Sequence, residues 1–347
     1  MANKILIDIK HPAQLNLFKG LADELRNEGW DIIVCYLNRG KLPAIIQREY
    51  EGYDLISVGS SQGTKWSIFW EGNVKRTKVF IDLIQQYKFN ICIAASSAPL
   101  ALACKLTGTP VIQFYDDPER KNINKINAIL SNQIYFPNIV KKTPKIDTFN
   151  CLKEWSYLSP KRFTPNIKAL EPYGLKPYQY VFVREVSNKS FNYFGQDDAI
   201  ICGFSKQISK QLPLILSVED KSIQSKFPEN WTPLIEPITD IHSLIYYSKL
   251  VISSGDSMAR EGAMLGVPSI YCGIREMKAN QILIDKNVLL HLSGKPLLSK
   301  INEIITAPFD SDYQIQNREN LLNEWVDMLD FMKQKILDFK KNGERAN

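Results

Sequence analysis

The 347-residue chain lacks several patterns that mark common classes of protein. No apolar run approaches the roughly 18 residues that a membrane-spanning helix needs, and residues 1–8 enter a short strand without a signal-peptide pattern. The six cysteines are scattered and none forms a Cys-x-x-Cys pair, so buried free thiols in a reducing cytoplasm are expected. The chain has no zinc-finger spacing, no RNA-recognition signature and no extended basic face, which argues against nucleic-acid binding.

The charge balance is a modest positive excess of +6, spread along the chain. Such an excess favours phosphorylated ligands or an anionic membrane surface, although solubility alone explains it as well. Hydrophobic residues make up 44% and charged residues 23%, as in globular proteins. A chain of this length predicts two domains.

Short apolar strands alternate with helical stretches before residue 138 and again after residue 177. This pattern predicts two parallel sheets, each with helices on both faces. The intervening stretch is rich in proline and is typical of a linker. Residues 317–341 have the apolar periodicity of one amphipathic helix.

We therefore expect an α/β protein with two doubly wound, Rossmann-type domains at 1–165 and 166–316. A terminal helix at 317–347 is expected to pack back across them. Ligands of such sheets bind at the carboxyl ends of the strands, so an interdomain cleft is the expected site.

The segment at 249–270 carries the clearest functional signal. An apolar strand, Leu250–Ser253, is followed by small polar residues and then by a helical stretch. A tight strand-to-helix turn presents backbone N–H groups and the helix dipole, and both favour a phosphate. A carboxylate one turn into the helix is placed to accept hydrogen bonds from a sugar hydroxyl. The predicted nucleotide-sugar-binding residues here are Ser254, Gly255, Asp256, Ser257 and Glu261.

The turn after the first strand lacks the Gly-x-Gly-x-x-Gly fingerprint of dinucleotide-binding proteins. It places Lys10, His11 and Gln14 near the top of that strand, where the cleft is expected. His11 is a candidate general base because the pKa of histidine lies near neutrality. The alternative is a histidine that only caps the following helix. Lys10 and Gln14 are candidates for contacts with an acceptor.

Three carboxylates, Asp116, Asp117 and Glu119, follow the strand Val111–Phe114. Carboxylates at a strand end supply a base, bind a metal or hold sugar hydroxyls. Helix capping is the alternative, with Asp117 as the cap and Pro118 at the first helical position. We take Asp117 and Glu119 as candidate catalytic groups and Asp116 as an acceptor-side residue.

Two further segments have polar residues that suit a sugar nucleotide. Arg184 ends the first strand of the second series and Ser187 follows it, so both are candidates for binding a diphosphate. An interdomain salt bridge is the alternative for Arg184. The Asp-x-Asp at 310–312 matches metal-dependent sugar transferases, but turn and cap chemistry explain it better, and no metal is expected.

Residues 64–78 mix aromatic and basic side chains, among them Trp66, Phe69 and Trp70. This mixture favours a lipid-linked or carbohydrate acceptor at a membrane surface. Core aromatics beside a solvated helix face are the alternative.

Together these motifs resemble the bacterial and archaeal family known as domain of unknown function 354, described as predicted glycosyltransferases of the GT-B fold. The first turn is similar to the family run Asp-Ile-x-His-Pro-Ala-His-Val-His-Phe-Phe-Lys, with Gln14 and Asn16 replacing its second and third histidines. Further matches are Asp117 with Glu119, residues 157–165, Val183 with Arg184 and, most strongly, residues 255–268.

The family is related to MurG-type transferases and to UDP-N-acetylglucosamine 2-epimerases, but specific epimerase residues are missing here. The epimerases have a His-Gly-Asp-Thr turn where residues 95–98 read Ala-Ser-Ser-Ala, without a carboxylate. They have His-Arg-Arg-Glu-Asn where residues 184–188 read Arg-Glu-Val-Ser-Asn, without a histidine. Epimerisation needs groups that remove and return protons, so these absences count against it.

The resemblance implies a cytoplasmic glycosyltransferase that moves a sugar from a nucleotide-sugar to a polysaccharide or glycolipid hydroxyl. We expect the 254–257 turn to hold the diphosphate, Glu261 the ribose and Arg184 the leaving group, while His11 or Asp117 deprotonates the acceptor. The nucleotide-sugar is a substrate and no cofactor is expected. Expected partners are the donor, a saccharide or lipid-linked acceptor, the inner membrane surface and a second copy of the chain. Open alternatives are an epimerase or nucleotide-sugar hydrolase, and a non-catalytic nucleotide-sugar-binding protein.

Overall fold

The structure, a computed structural model, describes residues 3–60, 70–187, 196, 199–208, 210–238 and 240–345. The chain divides into two compact units, residues 1–157 with 325–347, and residues 158–324. Each unit contains a parallel sheet whose strands alternate with helices along the chain. The two βα series predicted from the sequence are therefore confirmed.

The sheet of the first unit has the strand order β3-β2-β1-β4-β5-β6-β7. Its strands are β1 Lys4–Ile9, β2 Asp31–Asn38, β3 Asp54–Ser60, β4 Ile91–Ala94, β5 Val111–Phe114, β6 Gln133–Pro137 and β7 Ile146–Phe149. Ile5, Leu6 and Ile7 have no exposed surface, as expected for a parallel strand covered on both faces. The order reverses between β1 and β4, which places the turns after these two strands side by side.

Local sequence explains where the helices of this unit begin. Pro12 opens the first helix with the fixed φ that a first turn needs, and Ala98 and Pro99 open the helix after β4. The helices are α1 Pro12–Asn27, α2 Leu42–Glu49, α3 Arg76–Tyr87, α4 Ala98–Thr107, α5 Lys121–Leu130 and α6 Trp155–Leu158, with a π-helical turn at Trp70–Lys75.

The sheet of the second unit has the order β10-β9-β8-β11-β12-β13 and reverses between β8 and β11. Its strands are β8 Val181–Glu185, β9 Leu214–Val218, β10 Trp231–Pro233, β11 Leu250–Ser253, β12 Ser269–Tyr271 and β13 Leu289–His291. Its helices are α7 Ile200–Phe204, α8 Ile241–Tyr246, α9 Asp256–Met264, α10 Lys278–Asp285, α11 Gly294–Thr306 and α12 Ser311–Glu324, with 3₁₀ turns at Ile167–Tyr173, Ser205–Gln207 and Lys221–Lys226.

A glycine allows α9 to pack closely on the second sheet. A Cβ atom on Gly262 would lie 2.5 Å from Ser269 Oγ and 2.9 Å from Val251 Cγ2. Both distances are shorter than van der Waals contact, so a larger residue would push the helix away from β11 and β12.

The prediction of one terminal helix is wrong. Helix α12 ends at Glu324, and a separate helix, α13, runs over Met328–Arg345. Asp327 Oδ1 starts this helix by accepting hydrogen bonds from the backbone N–H groups of Leu329 at 3.0 Å and Asp330 at 3.1 Å. Helix α12 belongs to the second unit and α13 to the first.

Helix α13 contacts the first unit through aromatic rings. The ring of Phe331 meets Tyr135 at 5.4 Å and Phe149 at 5.6 Å between centroids. Just before the helix, Trp325 packs edge-on against Trp155 at 5.3 Å. Pairs at these distances add to the free energy gained by burying the rings.

The proline-rich stretch at 138–177 is more than a linker. It contains β7, the short helix α6 and a 3₁₀ turn at Ile167–Tyr173. Strand β10 and helix α11 were also not predicted from the sequence.

Candidate functional site

The turn between β11 and α9 has the geometry of an anion site. Ser253 Oγ accepts a hydrogen bond from Gly255 N at 3.1 Å and donates to Gly255 O at 2.7 Å, which fixes the turn. Gly255 is the N-cap of α9, and no side chain caps the helix. The amino end of α9 therefore presents its dipole and its first N–H groups to a ligand.

Ser254 holds this turn in place from inside the protein. Its side chain has no exposed surface, and its Oγ donates to Glu185 Oε1 at 2.5 Å and accepts from Val186 N at 2.9 Å. Glu185 Oε2 also accepts from Ile201 N at 2.7 Å and Cys202 N at 3.3 Å. Burial raises the pKa of Glu185. The hydroxyl of Ser254 thus joins the turns after β8 and β11, and its backbone N–H donates to Arg184 O at 3.0 Å, so Ser254 positions the turn and does not contact a ligand itself.

Asp256 is buried and its charge is shared between two arginines. Its Oδ2 lies 3.2 Å from Arg260 Nη1 and 3.6 Å from Arg275 Nη1. Arg260 also donates to Asn280 Oδ1 at 2.8 Å, and its Nη2 lies 3.5 Å from Ser257 Oγ. Because two cations face one carboxylate, Asp256 does not make the turn repel an anion.

Arg275 was missed by the sequence analysis. It follows β12 in a turn whose sequence carries no motif, and only the fold brings it to the amino end of α9. Its guanidinium is mostly buried but accessible, at 17% exposure. It is therefore a candidate cation for a phosphate at this turn.

Glu261 lies beside a histidine that the sequence analysis also missed. His242 Nε2, on α8, is 3.6 Å from Glu261 Oε2. The ring of Phe163 meets the His242 ring edge-on at 6.3 Å between centroids. The pair offers both an acceptor and a ring nitrogen to ligand hydroxyls.

Arg184 and Ser187 both contact the carboxylate of Glu219 in the second unit. Arg184 Nη1 donates to Ser217 Oγ at 2.8 Å, and its Nη2 lies 3.9 Å from Glu219 Oε2. Ser187 N donates to the same Oε2 at 3.2 Å. Arg184 is half-buried and pairs inside its own unit.

The turn after β1 is joined to the turn after β4 by side chains. Gln14 Oε1 accepts from Lys10 N at 2.7 Å, and Gln14 Nε2 donates to Ala95 O at 2.8 Å. Lys10 Nζ donates to Ser96 O. Burial lowers the pKa of Lys10 to about 8, and nearby guanidinium groups add to this effect while Asp8 opposes it.

His11 performs the capping role given as its alternative. It is the N-cap of α1, and its Nδ1 accepts from Ala13 N at 3.2 Å. A neutral imidazole that accepts at Nδ1 carries its proton on Nε2. His11 can therefore accept a substrate proton only after this cap is released.

The acidic turn after β5 does not cap a helix. Helix α5 begins at Lys121 with Arg120 as N-cap, so capping by Asp117, with Pro118 at the first helical position, is wrong. Asn124 Nδ2 instead donates to Asp117 O at 2.9 Å, and Asp116 pairs with Lys153. Asp117 and Glu119 are both half-buried.

Asp310 acts as the cap that its sequence suggested, since its Oδ1 accepts from Tyr313 N at 2.9 Å at the start of α12. Within the described ranges, no three His, Cys, Asp or Glu side chains are grouped to hold a metal ion. Residues 61–69, with Trp66 and Phe69, lie outside the described residues, as do Asn188 and Lys189. The part of the chain that the structure describes has no helix long and apolar enough to cross a membrane.

Comparison with known proteins bears on the family and on the fold. Residues 187–341 match the family described as "Protein of unknown function (DUF354)". The match confirms the family resemblance over that range. The uncharacterized protein MJ0665 of Methanocaldococcus jannaschii is 22% identical over 353 residues, covering 97% of this chain and 98% of that protein.

Solved structures with the same fold include both glycosyltransferases and epimerases. The S. aureus MnaA-UDP structure matches with a TM-score of 0.69 and 12% identity, over 99% of this chain and 98% of that chain. Glycosyltransferase VinC in complex with DTDP matches at 0.66 and 10%, over 98% and 100%. A putative UDP-N-acetylglucosamine 2-epimerase from Listeria monocytogenes matches at 0.67 and 13%, over 95% and 93%. The fold is therefore of the GT-B class, with two Rossmann-like domains.

Proposed function

We propose that the chain is a glycosyltransferase that takes a sugar from a nucleotide-sugar and passes it to an acceptor hydroxyl. The observation that carries this proposal is the uncapped amino end of α9, with Glu261 one turn along it and Arg275 beside it. Two proteins of the same fold support it, because their structures contain DTDP and UDP.

In this proposal the second unit binds the donor. Backbone N–H groups of Asp256 and Ser257, together with Arg275, hold the diphosphate and stabilise the charge that develops on it as it leaves. Arg184, which already faces Glu219 across the turn after β8, adds a second guanidinium. Glu261 and His242 hold the ribose hydroxyls. Because protein groups carry the charge of the leaving diphosphate, we expect turnover to survive removal of metal ions by EDTA.

The acceptor is proposed to bind at the first unit, with Asp117 as its base and Glu119 beside it. Asp117 is preferred to His11 because the Nδ1 lone pair of His11 is already used in the cap of α1. Asp117→Asn should lower turnover by roughly a hundredfold, in the range of a lost general base, and leave nucleotide affinity unchanged. If His11→Ala has this effect and Asp117→Asn does not, the base is His11.

Calorimetric titration with UDP, dTDP, GDP, CDP and ADP tests the donor site. We expect one of them to bind, and Glu261→Gln to weaken that binding while the exposed control Glu303→Gln does not. Failure of every nucleotide to bind would exclude a donor site.

An epimerase or hydrolase is the second candidate, because one of the proteins with this fold is described as a UDP-N-acetylglucosamine 2-epimerase. Incubation with UDP-N-acetylglucosamine in the absence of an acceptor separates the reactions. Formation of an epimer or of free sugar over many turnovers without an acceptor would favour this candidate over a transferase. Nucleotide binding with no turnover of any donor would favour a binding protein.

A further inference from the structure

A cavity of about 230 Å³ is lined, among the described residues, by side chains of the first unit, including residues of the turns after β1 and β4. Four cationic side chains line it, and they come from four separate parts of the chain. They are Lys10 after β1, Arg39 after β2, Arg76 at the start of α3 and Arg120 before α5. No carboxylate is among the described residues that line the cavity.

Arg76 is the buried member of this cluster and pairs with a buried carboxylate. Its side chain is 2% exposed, and its Nη2 donates to the fully buried Asp8 Oδ1 at 2.6 Å. Its Nε has no hydrogen-bond partner among the residues the structure describes. A buried guanidinium N–H without a partner costs free energy, and a ligand in the cavity that it lines would remove that cost.

The three arginines of the cavity lie close enough to Lys10 to lower its pKa. After burial itself, the charges of Arg76, Arg120 and Arg39 lower the pKa of Lys10, and only Asp8 opposes them. Asp8 offsets part of this positive charge, and holding the remaining surplus around one small space is unfavourable unless a further counter-charge binds there.

The backbone adds to the positive field. Ala98 and Pro99, which open α4, also line the cavity. The N-cap of α4, Ser97, makes no side-chain cap, because its Oγ donates to Asp8 Oδ2 at 2.5 Å instead. The amino end of α4 therefore directs its dipole toward the same space as the cations.

We propose that this cavity binds the phosphoryl group of a phosphorylated acceptor. A phosphoryl dianion matches the surplus of positive charge, and its oxygens accept the several N–H donors that converge here. The volume accommodates the phosphoryl group with part of its substituent. That the phosphoryl group belongs to an acceptor rests on the proposed transferase function, whereas the binding of a phosphoryl group at this site does not.

Calorimetric titration of the full chain with glucose 1-phosphate and with octyl phosphate below its micelle concentration tests the site. Arg39 and Arg120 are exposed, so the double variant Arg39→Gln/Arg120→Gln should remain folded. We expect it to bind the preferred probe at least about tenfold more weakly than the unmodified chain. The matched control is Arg48→Gln, another exposed arginine of the same unit that does not line the cavity, and it should bind as before.

The outcomes separate the origin of the phosphoryl group from the existence of the site. Tighter binding of glucose 1-phosphate indicates a soluble sugar phosphate, and tighter binding of octyl phosphate indicates a lipid-linked acceptor. The proposal is overturned if neither probe binds, or if the double variant and the Arg48→Gln control bind alike. If phosphate binding depends on Arg39 and Arg120 while no nucleoside diphosphate binds at all, the transferase proposal fails and this site remains.

Discussion

Asp8 in the first unit and Glu185 in the second occupy corresponding places in two sheets of the same order. Each lies near the carboxyl end of the strand at which its sheet reverses, and each accepts a 2.5 Å hydrogen bond from a serine after the neighbouring strand, Ser97 or Ser254. The remaining partners differ. Asp8 is bound by the guanidinium of Arg76, whereas Glu185 is bound by backbone N–H groups of Ile201 and Cys202.

This difference leads to two kinds of anion site. The first unit gathers charged side chains around its turn, so binding there should weaken steeply with salt. The second unit binds its buried carboxylate through backbone N–H groups and a serine hydroxyl and leaves the amino end of α9 as the main donor, which salt screens less in a partly buried site.

The largest expected effect comes from separating the buried pair of the first unit. Arg76→Met leaves the Asp8 charge buried without its cation and should lower the free energy of unfolding by about 3–5 kcal/mol. Urea denaturation followed by fluorescence measures this. Arg48→Met, at an exposed site, should change it by no more than about 0.5 kcal/mol. A loss for Arg76→Met as small as that expected for Arg48→Met would mean that the buried pair contributes little to stability.

A second effect concerns how closely α9 approaches its sheet. Gly262→Ala should cost about 1–3 kcal/mol because the new methyl group would overlap Ser269 and Val251. Gly203→Ala, in a helix with nothing within 4 Å of its Cβ, should be neutral or stabilising. Thermal unfolding of both variants checks the contrast, and equal melting temperatures would contradict it.

The two anion sites should respond to different arginines. Arg275→Gln should weaken nucleoside diphosphate binding about tenfold, because it removes the more exposed of the two cations at the amino end of α9. It should leave glucose 1-phosphate binding unchanged, the reverse of the Arg39→Gln/Arg120→Gln variant. Calorimetry on both variants with both ligands gives the comparison, and loss of both ligands in either variant would mean that the sites are not separate.

The smallest expected effect is a pH dependence confined to the first unit. Lys10, which faces Asp8, Arg76, Arg120 and Arg39, has a pKa of about 8 and so loses its charge as the pH rises through that value. Affinity for glucose 1-phosphate, a dianion above neutrality, should therefore fall several-fold between pH 7 and pH 9. Lys10→Arg should abolish the fall because a guanidinium keeps its proton. A steep fall in that variant would place the titrating group elsewhere.

Much of the fold was predictable because central parallel strands are continuous apolar runs. Strands β5 and β11 have the predicted bounds. The missed strands β7 and β10 are edge strands with polar residues, and β10 ends on Pro233, so neither has the apolar signal of a buried strand. The break before α13 was hidden because apolar residues continue through it, although Asp327 was an available capping signal.

The candidate site was predictable only where one segment supplied it. The turn from Ser254 to Ser257 was found because strand, turn and helix are adjacent in sequence. Arg275, His242 and the cations of the cavity lie on separate loops, and only the strand order brings them together. Whether His11 and Asp117 cap helices depends on single hydrogen bonds and helix limits that composition does not reveal.

The return of α13 to the first unit has a consequence for the order of events during translation. The surface that receives Phe331, formed by Tyr135 and Phe149, is synthesised before the whole of residues 158–324, and its covering helix is synthesised after them. During translation, Tyr135 and Phe149 therefore lack the helix that covers them until the second unit has been synthesised. We expect the nascent chain to bind chaperones through that surface until α13 emerges.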